Sequence, residues 1–468
     1  VADNEQAKFL TGNLFRHVTT MSLTASIGLM AIFLVDLADM VFISMLGEPE
    51  LAAAIGYSGA ILFFTTSFSI GMSIAAGALV AQALGGGDKN LARSQATSTI
   101  VTGLVVSSIF AAIVWFNLPF LSALMGASGK TLTMSVGYLQ IIIPSLPLLT
   151  VGMVGSAVLR GHGDARRAMM VTLIGGAINA VLDPILIFGL DLELTGAALA
   201  SVATRVGIAA AALWPIFKVY GGLDRPNFPH LMRDLAPILA IAVPGILTQL
   251  ATPLGSAYVT RTMAEFGEAA VAGMAMVGRL TPVALAVVFA LSGAIGPILG
   301  QNFGAGQFDR VRGAFRDGIL FVAVCVLGAT LVLFLLREPI AQLFGATGIA
   351  RELVFLFCGP LALLFFFTGV MFVCNAAFNN LHHPYYSTWL NWGRNTLGTV
   401  PLVALGASYY GAKGVLIGQA FGGVLFALIA WVLAYRVINK QENAKKPLGV
   451  PKPFVHRTRL LQLFLHRR

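Results

Sequence analysis

The chain is 468 residues long, 57% apolar with 51 further glycines, only 11% charged, and has a mean hydropathy of +0.83. So few charges cannot cover a soluble surface, and the same composition excludes disorder, collagen and a disulfide-stapled secreted scaffold. Thirty Lys and Arg against 20 Asp and Glu leave a net charge of +10, which in so apolar a chain reads as a positive-inside bias, with no nucleic acid as partner.

Apolar runs of about 20 residues without period-2 alternation predict membrane-spanning helices and not barrel strands. In chain order the polar breaks delimit twelve, at roughly 20–46, 53–82, 94–118, 131–158, 168–189, 194–217, 235–262, 270–302, 314–336, 350–376, 386–408 and 413–436. Val1 to Thr20 is too polar for a signal peptide, so the first run reads as a retained helix. Basic loops (Lys89 and Arg93; Arg160, Arg166 and Arg167; Lys218, Arg225 and Arg233; Arg310, Arg312 and Arg316) alternate with acidic ones (Glu48 and Glu50; Asp191 and Glu193; Glu265 and Glu268). That alternation predicts an even number of spans with both termini cytoplasmic. Residues 437–468 read as a basic cytoplasmic tail, disordered or lying on anionic lipid. Cys325, Cys358 and Cys374 all fall in apolar runs and form neither a disulfide nor a zinc pattern.

The sequence repeats itself. Gln82-Ala-Leu-Gly85-Gly-Gly87 followed by Arg93 matches Gln301-Asn-Phe-Gly304-Ala-Gly306 followed by Arg312, at an offset of 219. Leu124-Met-Gly126-Ala127 matches Leu343-Phe-Gly345-Ala346 at the same offset, with Gly47-Glu48/Gly267-Glu268 and Thr195-Gly196/Lys413-Gly414 within one residue of it. The expected fold is all-α: an N-lobe (1–218), a short non-helical linker (219–234) and a C-lobe (235–436). Six spans per lobe put both lobes in the same orientation, related by a pseudo-two-fold axis along the membrane normal, with a substrate cavity between them. Positions that the halves share serve the fold; positions that differ are where ion or substrate chemistry is to be sought.

Charge inside a span costs at least ~2.5–3.5 kcal/mol, so each such residue is a functional candidate. Span 1 holds Asp36 and Asp39, where the second half has Ser256 and Val259. Span 5 holds Asn179 and Asp183, which map near Gly398 and Leu402. At ~1.5 Å per residue, Asp39, Asp183, Asn179 and Ser201 fall at one level in the outer half of the membrane, with Asp36 one turn beneath. Two facing carboxylates in low dielectric are expected to hold a proton or a cation, and Na⁺ at Asp39, Asn179 and Asp183 suits their hard oxygens. Of the intramembrane arginines, Arg205, Arg279 and Arg394, Arg279 is a partner for a carboxylate across the cavity; contact with backbone carbonyls is the alternative for all three.

Together, Val35-Asp36-Leu-Ala-Asp39-Met-Val-Phe with Gly47, Gln82-xx-Gly85-x-Gly87, Leu159-Arg160-Gly161-His-Gly163-Asp164-Ala-Arg166, Asn179-Ala-Val-Leu-Asp183-Pro184, Gly196 to Ser201, and Gly278-Arg279 with Gly300-Gln301-Asn302 resemble the multidrug and toxic compound extrusion (MATE) family. Within it the chain is most similar to the DNA-damage-inducible (DinF-like) subfamily. The resemblance implies cation-coupled export of organic, lipophilic cationic compounds, with H⁺ or Na⁺ transported and no cofactor. By it Asp39 is the coupling aspartate of span 1, Asp183 and Asn179 are its span-5 partners, and Ser201 stands at a usual threonine. Ser156 stands at a usual asparagine, with Asn375 as its repeat partner. The proline expected to bend span 1 is replaced by Thr24 and Ala25, leaving Gly28 as a softer hinge. Small organic molecules and membrane lipids are the expected partners of a monomer in the inner membrane. No GxxxxGK[ST] loop occurs, so an ion gradient must supply the energy. A major-facilitator-type carrier, a lipid-linked precursor flippase and a non-transporting scaffold remain the alternatives.

Overall fold

The computed structural model describes residues 7–45 and 49–443. The Gly47-Glu48 repeat match and the tail beyond 443 lie outside the described residues. Those described are helical, without a strand. The N-lobe spans are Leu14–Met45, Pro49–Gly85, Lys89–Phe116, Gly129–Gly161, Ala165–Gly189 and Glu193–Lys218. The C-lobe begins with Phe228–Ala264 (span 7) and continues through Glu268–Ala284 with Ala286–Gly304 (span 8), Phe308–Leu343 (span 9) and Gly348–Asn380 (span 10).

A single helical stretch, Pro384–Asn443, closes the chain. It contains spans 11 and 12, because Gly411 (φ 58°, ψ −140°) reverses the chain in its middle, and only glycine reaches that backbone region without strain. The eleven long apolar helices thus contain the twelve expected passes. Two boundaries differ from expectation. Span 8 breaks at Leu285, whose φ of −115° is not helical. The linker is non-helical only to Asn227, because Pro229 sits in the first turn of span 7, where its missing N–H costs nothing.

The repeat has a structural reason. Gly87 (φ 80°) and Gly306 (φ 69°) end spans 2 and 8 in left-handed turns, while Gly85 and Gly304 lie where those spans cross. A Cβ at Gly85 would collide with the backbone carbonyl of Gln301, and one at Gly304 with that of Gln82. The side chains complete the symmetry. Gln82 Nε2 donates to the carbonyl of Asn380 at 3.0 Å, and Gln301 Nε2 donates to that of Gly161 at 2.7 Å. Asn380 is 219 residues after Gly161, so each glutamine caps the same helix end in the opposite lobe.

The lobes meet at this end, where the basic loops lie. Span 1 packs on span 8, span 2 on spans 7 and 8, and Gly71 lets the backbone of span 7 approach at Ala242 and Ile246. A 3-10 turn, Lys8–Leu10, seals the junction. Phe9 is 0% exposed; its N–H donates to Gln301 Oε1 at 2.9 Å, and its carbonyl accepts from Asn302 Nδ2 and Arg310 Nη2. Lys8 Nζ reaches the carbonyl of Gly163 in the N-lobe at 2.8 Å.

Candidate ion-coupling site

Span 5 lies between spans 1 and 6. Gly28 brings span 1 against Thr172, and Gly175 and Gly207 bring spans 5 and 6 against Ile208 and Ile178. Span 1 runs as one unbroken helix through Gly28, so this glycine acts here as a contact point. Pro184 cannot donate its own backbone hydrogen bond, and the chain after it widens into a π-turn, Ile185–Gly189. Asp183 stands immediately before that irregularity.

Asp183 is 2% exposed. Asn179, one turn earlier, donates its amide to Asp183 Oδ2. Asp39 reaches across from span 1 to within side-chain hydrogen-bonding range of Asp183. Oδ1 of each carboxyl is buried without a donor. Two carboxylates can close such a contact only by sharing a proton or a cation, since each is otherwise an acceptor alone. Asp36 is exposed one turn away and within electrostatic range of Asp39. Ser201 does not join the carboxyls directly. It lies near Tyr138 of span 4, which is within electrostatic range of both Asp39 and Asp183 and of Arg205. Arg205 in turn gives Nη1 to the carbonyl of Ile142 and to Ser145 Oγ, each at 3.0 Å.

The site therefore gathers Asp39, Asp183 and Asn179, with Ser201 one residue removed through Tyr138. Tyr138 escaped the sequence reading because it carries no charge. Its signal was available: the repeat partner, Phe357, lacks the hydroxyl. Arg279 does not pair across the cavity. It is exposed on span 8 and acts on neither Asp39 nor Asp183. Ser156 Oγ is taken by Arg160 at 2.9 Å, and Asn375 Oδ1 accepts from Asn391 at 3.1 Å, so both serve polar contacts within their own lobes.

Two like lobes of six spans, with a pair of carboxyls set inside the first, are the plan of a secondary transporter. The MatE family model matches residues 25–185 and again 244–405, two blocks whose starts are 219 residues apart, and the chain belongs to that family. It is 29% identical to a FAD transporter of Shewanella oneidensis over 92% of this chain and 96% of that protein. It is 23% identical to the multidrug export protein MepA of Staphylococcus haemolyticus over 94% of this chain and 97% of that one. The crystal structure of a Vibrio cholerae MATE transporter, VcmN, superposes with a TM-score of 0.86 at 25% identity, covering 91% of this chain and 97% of the other. This membership sets aside the major-facilitator alternative. The protein is a multi-pass membrane transporter of small molecules.

Proposed function

We propose that the protein exports organic cations from the cell across the inner membrane, with its termini in the cytoplasm, as a monomer driven by inward proton flow through Asp39 and Asp183. The observation that carries this reading is the pair of facing carboxyls with one unpartnered, buried oxygen each. A proton held by the pair gives this buried site a donor. Na⁺ fits the same hard oxygens less directly, since Asn179 turns its NH₂ and not its carbonyl toward Asp183 and would have to rotate to serve as a ligand. Protonation from outside removes the charge that attracts a cationic substrate, and deprotonation toward the cytoplasm restores it. One charge thus alternates between proton and substrate as the lobes rock. Dye export from vesicles under an imposed ΔpH, and separately under an imposed Na⁺ gradient, tests this. Export driven by Na⁺ alone would overturn proton coupling.

The long match to the FAD transporter favours a second reading, in which the substrate is a flavin nucleotide. The same vesicles separate the two readings when loaded with FAD in place of a dye.

A further inference from the structure

The N-lobe holds the facing Asp39 and Asp183, and its intramembrane Arg205 is satisfied by a carbonyl and a serine, whereas Arg394 of the C-lobe has no such set of partners. Arg394 lies ten residues into span 11, about 15 Å along the helix from Pro384 at ~1.5 Å per residue, and so well inside the membrane. It opens the π-turn Arg394–Gly398, a local widening that helices favour at functional positions. The bulge is wedged in place, since Gly393 packs on Phe426 and Gly398 on the backbone of Gly422. The guanidinium crosses the lobe interior. Nη2 meets Thr368 Oγ1 of span 10 at 3.3 Å, and the head lies beside Gly423 of span 12. Contact with spans on both sides of its own directs it inward and not toward lipid.

A guanidinium carries five donors, and this hydroxyl takes one. Arg394 is partly buried, and among the described residues its guanidinium makes no other hydrogen bond or ion pair. Among the described residues no carboxylate pairs with it. Glu338, Glu352 and Glu442 are engaged by Arg351, Lys413 and Arg312. Arg205 differs, with a backbone carbonyl and a serine hydroxyl both held at 3.0 Å. A cation inside a bundle with neither carboxylate nor carbonyl partners is costly unless an anion completes it, and the planar fork of arginine suits a carboxylate or phosphate bidentately.

We propose that Arg394, with Thr368, is an anion-recognition subsite in the C-lobe, so that the preferred substrate is amphoteric: a cationic group for the N-lobe carboxyls and an acidic group for Arg394. This rests on the export reading above and narrows its substrate class. The test uses a matched dye pair, zwitterionic rhodamine B and its cationic ethyl ester, which differ by one carboxylate. Binding to the purified full-length protein in detergent is read by fluorescence anisotropy. Arg394→Gln is expected to weaken binding of the acid about tenfold while leaving the ester unchanged, and Arg394→Lys, which keeps the charge but not the bidentate fork, to retain only part of the preference. Should the glutamine variant not fold, the wild type still decides the matter, because added benzoate is expected to displace the acid and not the ester. An acid-to-ester ratio unmoved by Arg394→Gln, or benzoate that displaces both dyes or neither, would overturn the subsite while leaving export standing. Failure of both dyes to bind would sink the export reading, and the subsite with it.

Discussion

Asp39 is placed in span 1 of one half only, with one carboxyl oxygen buried without a donor and the Asp183 carboxyl beside it. Neutralising it removes the exchangeable charge yet eases the cost of burial, because a neutral amide needs less solvation than a carboxylate. Asp39→Asn is therefore expected to abolish coupled dye export while the thermal midpoint stays the same or rises. Asp183→Asn should reduce export at least tenfold. Glu265→Gln and Glu352→Gln should leave it near wild type, since Glu265 lies at the exposed end of span 7 and Glu352 is held by Lys413 at 2.8 Å. Transport rates in vesicles, normalised to protein content, rank the four variants. The carboxyls could be found from sequence because burial of charge is costly enough to mark them. Tyr138 could not be found that way, because a phenol inside an apolar run resembles any other aromatic residue until the fold places it beside Ser201, Asp39 and Asp183.

Between helices the same contrast holds. Span 5 starts at an aspartate cap: Asp164 Oδ1 accepts from the backbone N–H of Arg167 at 3.0 Å, and Oδ2 accepts from Tyr220 at 2.7 Å. Burial pushes this carboxyl up, but the bonds from the Arg167 backbone, from Tyr220 and from the Arg167 side chain outweigh it and hold it below the usual carboxylate range. A depressed folded pKa contributes stability above the unfolded value near ~4, and loses it as pH falls through the folded one. Asp164→Ala should cost about 1 kcal/mol at neutral pH, a gap that closes on acidification below pH ~4 and is read by urea unfolding at a series of pH values. At the crossing of spans 2 and 8, Gly304→Ala drives a methyl into the carbonyl of Gln82, so the helices must part. An overpacking cost of about 1–3 kcal/mol is expected there, with cysteine cross-linking between spans 2 and 8 reporting the separation. The sequence repeat marked these glycines as shared, because close approach and left-handed turns both demand glycine, but it did not place spans 2 and 8 against each other. It did not reveal that His382 occupies, at φ 64°, the left-handed turn held by Gly163 in the first half, since a histidine there carries no glycine signature. The reversal at Gly411 was legible only as a break between spans 11 and 12, and the π-turns were not legible at all.

For the whole molecule, the two lobes share a frame and divide the chemistry: facing carboxyls in the first and, among the described residues, a guanidinium without a carboxylate partner in the second. The shared frame was readable because packing constraints repeat every 219 residues. The division was readable only as differences between the halves, and the partners of each charge had to come from the fold. In the proposed mechanism Asp39 and Asp183 share one exchangeable proton that a cationic substrate displaces. Purified protein in weakly buffered detergent solution at neutral pH, with a pH-indicator dye present, tests it when tetraphenylphosphonium is added. Wild-type protein is expected to release close to one proton per substrate bound, and Asp39→Asn and Asp183→Asn to release almost none. Substrate binding without proton release in the wild type, or equal release from the Asp39→Asn variant, would contradict it.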